Sequence, residues 1–170
     1  MIRIAILTGI RLNSIRTLAW KCIDLGANTI TVDAIYSKNK KTQIIPMSTN
    51  LRQLLLEAKL RCGGSEYVFP EAMDVTSSTI SIRFSTLCKR LGIKDLRFHD
   101  LRHTCGTRLA EKGHGIETIS KVLGHSSITM SMMYVHPKDS VKRAMEDLAN
   151  FESLTTNLTT SEDLDNPNPL

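Results

Sequence analysis

"LGHSSITMSMMYVH", residues 123–136, decides how the second half of the chain is read. Gly124 can close one helix in the left-handed conformation, and Pro137, just beyond the stretch, stops the next. Between them Ser126 or Ser127 is placed to cap a new helix over the apolar run Ile128, Met130, Met132 and Met133. This reading predicts a Met-rich helix whose methionines fill the core, as that adaptable side chain commonly does. The run ends on Tyr134, nine residues after His125. Its phenol is either a core ring with a polar tip or a hydroxyl placed to react.

Working outward, "FHDLRHTCGTRLAEKG" reads as a helix that packs Leu101, Cys105 and Leu109 inward and ends near Gly113. A short helix carrying Ile116, Ile119, Val122 and Leu123 joins it to Gly124. Residues 77–91 form another helix, with Ile80, Phe84, Leu87, Cys88 and Leu91 at the spacing of a buried stripe. Thr49 or Asn50 opens a helix bearing Leu51, Leu54, Leu55 and Ala58, ended by Gly63 and Gly64. Alternating β-branched residues on either side of a polar "SKNKK" turn predict a hairpin over residues 29–47. Residues 2–8 read as a helix stopped at Gly9, and a helix seldom starts unsupported at residue 2. Asn13 or Ser14 is placed to cap a second short helix with Ile15, Leu18 and Ala19. Residues 139–151 make a last amphipathic helix, and 152–170 read as a disordered acidic tail. The fold class is mainly α with a small antiparallel β-sheet, an α+β architecture without internal repeats.

Composition narrows the partners. At 170 residues and 41% hydrophobic content, the chain suits one folded domain with a core of its own. The four acids of the tail mask a basic body, so the net charge of +5 becomes +9 for residues 1–151. Such a body suggests a polyanionic partner, nucleic acid before acidic membrane, although a cationic surface can also serve solubility alone. Cys22, Cys62, Cys88 and Cys105 are scattered, which reads as reduced thiols in a cytosol. The N-terminal apolar run is too short for a signal peptide, and no segment approaches the ~20 apolar residues of a membrane span. A soluble, internal protein with no membrane partner is expected.

In "HDLRH", His99 and Arg102 share a helix face, and His103 lies one turn beyond His99. The segment can be a solvated polar face. It can also suggest metal, since His99 and His103 have the spacing of zinc ligands. Asp100, however, stands where H-E-x-x-H has Glu, and no Cys or acidic partner sits at ligand spacing. A third reading makes His99 and Arg102 an anion-recognition pair, with two parallel guanidinium donors beside a proton-transferring imidazole. Arg11 in the "TGIR" turn, Lys38 at the hairpin tip and His125 after Gly124 extend that reading, though each is ordinary as a solvated surface residue. Two Arg, a Lys, two His and a Tyr make a cation-rich, carboxylate-poor set suited to a phosphate diester. A free phenol with a pKa near ~10 attacks poorly at neutral pH, and each well-placed donor on the transition state contributes ~3 kcal/mol.

"LTGIR", a basic hairpin, "HDLRHT" and "LGHSSITMSMMYVH", in this order and spacing, resemble the catalytic domain of the tyrosine recombinase (phage integrase) family. The resemblance covers residues 1–151 and implies a site-specific recombinase or integrase acting on double-stranded DNA. In it, Arg11 and Arg102 would grip the non-bridging oxygens of the scissile phosphate, joined by His125. Tyr134 would attack phosphorus and leave a 3′-phosphotyrosyl link. Lys38 would protonate the departing 5′-oxygen, with Lys40 and Lys41 as rivals, and His99 would assist proton transfer at the tyrosine. Neither cofactor nor catalytic metal is implied. The helix at 139–151 would mediate self-association in a tetrameric synapse, and the location would be cytoplasmic, at the nucleoid. Tyr36 and Tyr67 match no block and read as structural.

The family's N-terminal DNA-clamping domain and first catalytic-domain helix have no counterpart, and Ser14 stands where the family usually has an acid. A non-catalytic DNA-binding remnant and a type IB topoisomerase-like relaxing enzyme therefore remain alternatives.

Overall fold

A computed structural model of the chain describes residues 1–32, 42–135, 141–142 and 144–149. These fall into two units, Met1–Tyr134 and a second beginning at Val135. The first unit holds helices α1 (Ile2–Thr8), α2 (Leu12–Arg16), α3 (Thr49–Arg61), α4 (Ser77–Arg90), α5 (Asp100–Glu111) and α6 (Ile116–Leu123). One sheet of strands β1 (Ile23–Asp24), β2 (Thr29–Val32) and β3 (Gln43–Pro46) completes it, so the expected α+β class holds. The strands run antiparallel in the order β1-β2-β3, with Ile23 opposite Ile30 and Ile30 opposite Ile45. Ile30, Val32 and Ile45 point into the core while Ile44 faces out, the alternation of a sheet with one buried face. Strand β1 was not expected; its two residues are too few to show a period.

The helices begin and end largely where local chemistry dictates. Ser48 and Thr76 cap α3 and α4 by accepting from the amides of Leu51 and Thr79. Gly9 and Gly124 close α1 and α6 at φ 67° and 61°, a region that penalises any side chain. The expected cap of α2 is wrong. Arg11, extended at φ −67° and ψ 145°, is its N-cap, and Ser14 is drawn inside and buried. Leu18 and Ala19 are buried as expected but lie beyond the end of that helix.

Two expectations of burial also fail. In α4 only Phe84 and Cys88 are buried, while Leu87 and Leu91 are exposed at the outer edge of the stripe. The Met-rich run is a 3-10 helix, Ile128–Tyr134, and its methionines lie outside the core, with Met132 58% and Met133 62% exposed. Three residues per turn align Ser131 with Tyr134 on one face, which turns inward, and the methionines turn out; Ile128, at the start of the same row, stays 43% exposed.

The main core joins Ile4, Ile15, Ile30, Leu51, Leu55 and Leu101, each fully or nearly fully buried. Burying one such side chain contributes ~1.5–3 kcal/mol. A second small cluster consists of Cys105, Ile119, Leu123 and Tyr134. Helix α5 packs on α1 on one side and on α6 on the other, and so links both clusters. In the second unit, residues 141–142 and 144–149 are helical, within the helix expected at 139–151. The expected acidic tail and the hairpin tip lie outside the described residues. Among the described residues, no helix is long and apolar enough to cross a membrane.

Candidate active site

Arg102 sits on the first turn of α5 and is 5% exposed. Its Nη1 donates to the carbonyl of Gly9 at 2.6 Å, and its Nη2 donates to the carbonyl of Leu123. Those carbonyls belong to the C-terminal ends of α1 and α6, where backbone acceptors lack helical partners and the dipole is negative. The guanidinium thus pins three helices together, and three of its five N–H donors are left over. Gly9 is required there: a Cβ would stand 2.4 Å from Leu123 Cδ2. Burial, then repulsion from Arg11, lowers the Arg102 pKa to about 10, so the group stays charged at neutral pH.

Arg11 leaves the turn after Gly9 half-buried, and desolvation lowers its pKa as well. Arg11, His99 and Arg102 line one recess of about 160 Å³. Among the described residues, no carboxylate pairs with either guanidinium. A buried cation without a counter-ion is costly, and two facing one recess favour an anion there. A separate recess of about 440 Å³ is lined by Ile4, Leu55, Phe84 and Phe98 and holds none of this chemistry.

His125 follows Gly124 at the end of α6. Gly124 is held close to β3, since a Cβ on it would lie 2.4 Å from Gln43 Oε1. Gln43 Nε2 in turn donates to the carbonyls of Lys121 and Val122 at 3.0 and 2.7 Å. The His125 pKa falls to about 4, first through desolvation and then through the charges of Arg102, Arg11, His103 and His99. Its ring is therefore neutral at physiological pH, and its Nδ1 lies 2.7 Å from Oγ of the fully buried Ser131. His99 is the N-cap of α5, and desolvation, His103, Arg102 and Arg11 all lower its pKa.

Tyr134 is 5% exposed, its ring lying parallel to that of His125 with centroids 6.4 Å apart. The ring rests on the backbone of Gly106, where a Cβ would come within 2.6 Å of Cζ. Burial raises the phenol's pKa, and Arg102 opposes the rise. The hydroxyl lies 2.9 Å from Nδ1 of His103, whose ring meets that of His99 edge-on at 5.0 Å.

Of the six residues singled out by sequence, Arg11, His99, Arg102 and His125 therefore share one electrostatic neighbourhood, and Tyr134 adjoins it through Arg102 and His125. Lys38, like its rivals Lys40 and Lys41, lies outside the described residues. The solvated-face reading of "HDLRH" fails for Arg102, which helix ends draw inside. Sequence reasoning missed His103 as a partner of Tyr134, and it missed Ser131 and Gln43 altogether. The sequence over 128–134 carries no cue to the 3-10 course, and so none to the burial of Ser131. Among the described residues, no group of three or more His, Cys, Asp or Glu is placed to hold a metal ion.

Residues 1–140 match the model of the phage integrase family. The chain is 30% identical over 148 residues to a tyrosine recombinase of Pseudothermotoga lettingae, covering 84% of this chain and 50% of that protein. It is 33% identical over 136 residues to tyrosine recombinase XerA of Saccharolobus solfataricus, covering 80% and 44%. The chain thus spans about half the length of the curated relatives it matches. A crystal structure of XerA recombinase superposes with a TM-score of 0.67 at 28% identity, over 86% of this chain and 55% of that one. The Tn1549 transposon integrase in complex with circular intermediate DNA gives 0.73 at 24% identity, over 86% and 58%, a likeness of fold.

Proposed function

Because the chain belongs to the phage integrase family, we propose that residues 1–151 act as the catalytic domain of a site-specific DNA recombinase. The observation that carries this reading is the pair of guanidiniums, Arg11 and Arg102, without carboxylate partners among the described residues and gathered with His125 beside the Tyr134 phenol.

In this mechanism the scissile phosphate enters the recess, and Arg11 and the spare donors of Arg102 bind its non-bridging oxygens. Arg102 needs little reorganisation, because two helix ends already fix its plane. Ser131 Oγ lies 2.7 Å from Nδ1 of His125; with the hydroxyl as donor, the ring carries its proton on Nε2 and donates it to the same phosphate. Tyr134 Oη attacks phosphorus, the bond to the 5′-oxygen breaks, and a 3′-phosphotyrosyl link conserves the bond energy for rejoining. His99 assists proton movement from the edge of the site. Lys38 protonates the departing 5′-oxygen, with Lys40 and Lys41 as rivals for that role. Ser14, in place of an acid, is buried within α2.

Double-stranded DNA is the partner, bound through the basic body and the phosphate site, in the cytoplasm at the nucleoid. Self-association in a synapse is assigned to the helix of the second unit. Val141, Met145 and Leu148 are exposed there at the i, i+4, i+7 spacing of a docking face.

The test is covalent trapping on a nicked suicide duplex. The intact chain forms an adduct that Tyr134→Phe abolishes. No adduct, together with salt-sensitive DNA binding, would assign the chain as a non-catalytic remnant. Relaxation of supercoiled DNA of arbitrary sequence would assign it as a relaxing enzyme.

A further inference from the structure

We propose that His103 takes the proton from the Tyr134 hydroxyl when that oxygen attacks phosphorus. The inference rests on the strand-cleavage reading above and adds to it a catalytic residue outside the set implied by the family resemblance. Among the described residues, the Nδ1 of His103 is the one imidazole nitrogen hydrogen-bonded to Tyr134 Oη, at 2.9 Å. His125, the other imidazole stacked near the phenol, has its Nδ1 engaged by Ser131. His99 meets the ring of His103, edge-on at 5.0 Å, and makes no hydrogen bond to the phenol among the described residues.

The surroundings suit a proton acceptor. The backbone of Gly106 leaves no room for a Cβ under the Tyr134 ring, so the phenol is held in one place against its partner. Burial raises the pKa of the phenol, so its proton needs an acceptor within reach, and Arg102 opposes that rise. His103 is only half-buried and also lines an open recess of about 510 Å³ together with Asp100, Thr104, Arg108 and Glu111. The half-exposed His103 side chain thus has a route to water for a proton received at Nδ1.

The step balances. With Nδ1 unprotonated, the Oη–H bond breaks and its proton passes to Nδ1 while the Oη electron pair forms the bond to phosphorus. The bond from phosphorus to the 5′-oxygen breaks, and that oxygen takes a proton from the general acid assigned to Lys38. In the reverse step the 5′-hydroxyl returns its proton to that acid, and His103 returns its own to Tyr134.

Three substitutions separate a proton acceptor from a positioning group. His103→Ala removes the nitrogen, and His103→Asn puts an amide where Nδ1 stood, able to hold the hydroxyl but not to take its proton. His103→Gln reaches instead toward the Nε2 position. All three are expected to slow adduct formation on the suicide duplex ~100-fold or more, with DNA affinity unchanged within a factor of about two. A duplex with sulfur in place of the bridging 5′-oxygen needs no proton on its leaving group. It is expected to restore Lys38→Ala but none of the His103 variants. Adduct formation near the parent rate in His103→Ala, or recovery in His103→Asn, would overturn the proposal.

A readout without DNA keeps this separate from the cleavage reading. In protein labelled with ¹⁵N in its imidazoles, Tyr134→Phe should shift the His103 Nδ1 resonance and leave Nε2 protonated. An unmoved resonance would overturn the proposal even in a protein that cleaves DNA. A shifted resonance in a protein that forms no adduct would sink the cleavage reading and, with it, the catalytic role of His103.

Discussion

Gly106→Ala perturbs Tyr134, the proposed nucleophile, without touching a polar group. Position 106 lies within α5, where alanine favours the helix by ~1 kcal/mol over glycine. Against this, the new Cβ would stand 2.6 Å from Cζ, 2.7 Å from Cε1 and 2.9 Å from Cε2 of Tyr134, where ordinary contact is about an ångström longer. Overpacking of this kind costs ~1–3 kcal/mol, so the two effects offset and the net loss of stability is at most ~2 kcal/mol. The ring is the part that gives way, and its displacement carries the hydroxyl off His103 and out of line with the phosphate. Misplacing a reacting atom by about an ångström lowers rates by ~100-fold. Stopped-time trapping on the suicide duplex, alongside a urea melt and a DNA-binding titration, reads all three quantities. The expected pattern is a folded, DNA-binding protein with adduct formation slowed ~100-fold. A Gly106→Ala protein that cleaves at the parent rate would refute the claim that the Gly106 backbone sets the position of the phenol.

Other outcomes follow from the same geometry. Ser131→Ala frees the His125 ring to change tautomer, so adduct formation should drop ~10-fold while the protein stays folded; an unchanged rate would show that Ser131 does not orient His125. Gly124→Ala combines a left-handed φ of 61° with displacement of the Gln43 amide and should cost ~2–3 kcal/mol in a denaturant melt; a loss below about 0.5 kcal/mol would contradict that packing. The neutral His125 ring gives a pH signature. Its folded-state pKa of about 4 lies below the ordinary imidazole value of 6.5, so the unfolded chain binds the proton first as pH falls. This contribution is fully present above about pH 6.5, is lost between there and about pH 4, and amounts to ~1 kcal/mol once solvent screening of the half-exposed ring is allowed for. Urea midpoints at pH 7 and pH 4.5 should therefore differ less in His125→Asn than in the parent, and equal differences would count against the shift.

Much of the frame was legible because it depends on local chemistry. Glycines with left-handed backbones end α1 and α6, and apolar periodicity marks α3 and α5, so "LTGIR", "HDLRHT" and "LGH" already fall at helix ends in the sequence. Less legible were features set by tertiary partners. Arg102 looks like a surface residue until the C-terminal carbonyls of α1 and α6 are brought to it. An apolar run of seven residues does not distinguish 3.6 from 3.0 residues per turn, and that difference alone moved the methionines out and Ser131 in. His103 was read by its spacing to His99, whereas its hydroxyl partner comes from 31 residues away.

The central claim is that one tetrahedral anion is held by Arg11, Arg102 and His125 at once, and selenate tests it most directly. Anomalous diffraction from crystals soaked in selenate should show a single ion with nitrogens of all three side chains within about 3.2 Å of its oxygens. Selenate bound to only one of them, or to Arg11 and His125 at separate positions, would contradict the account.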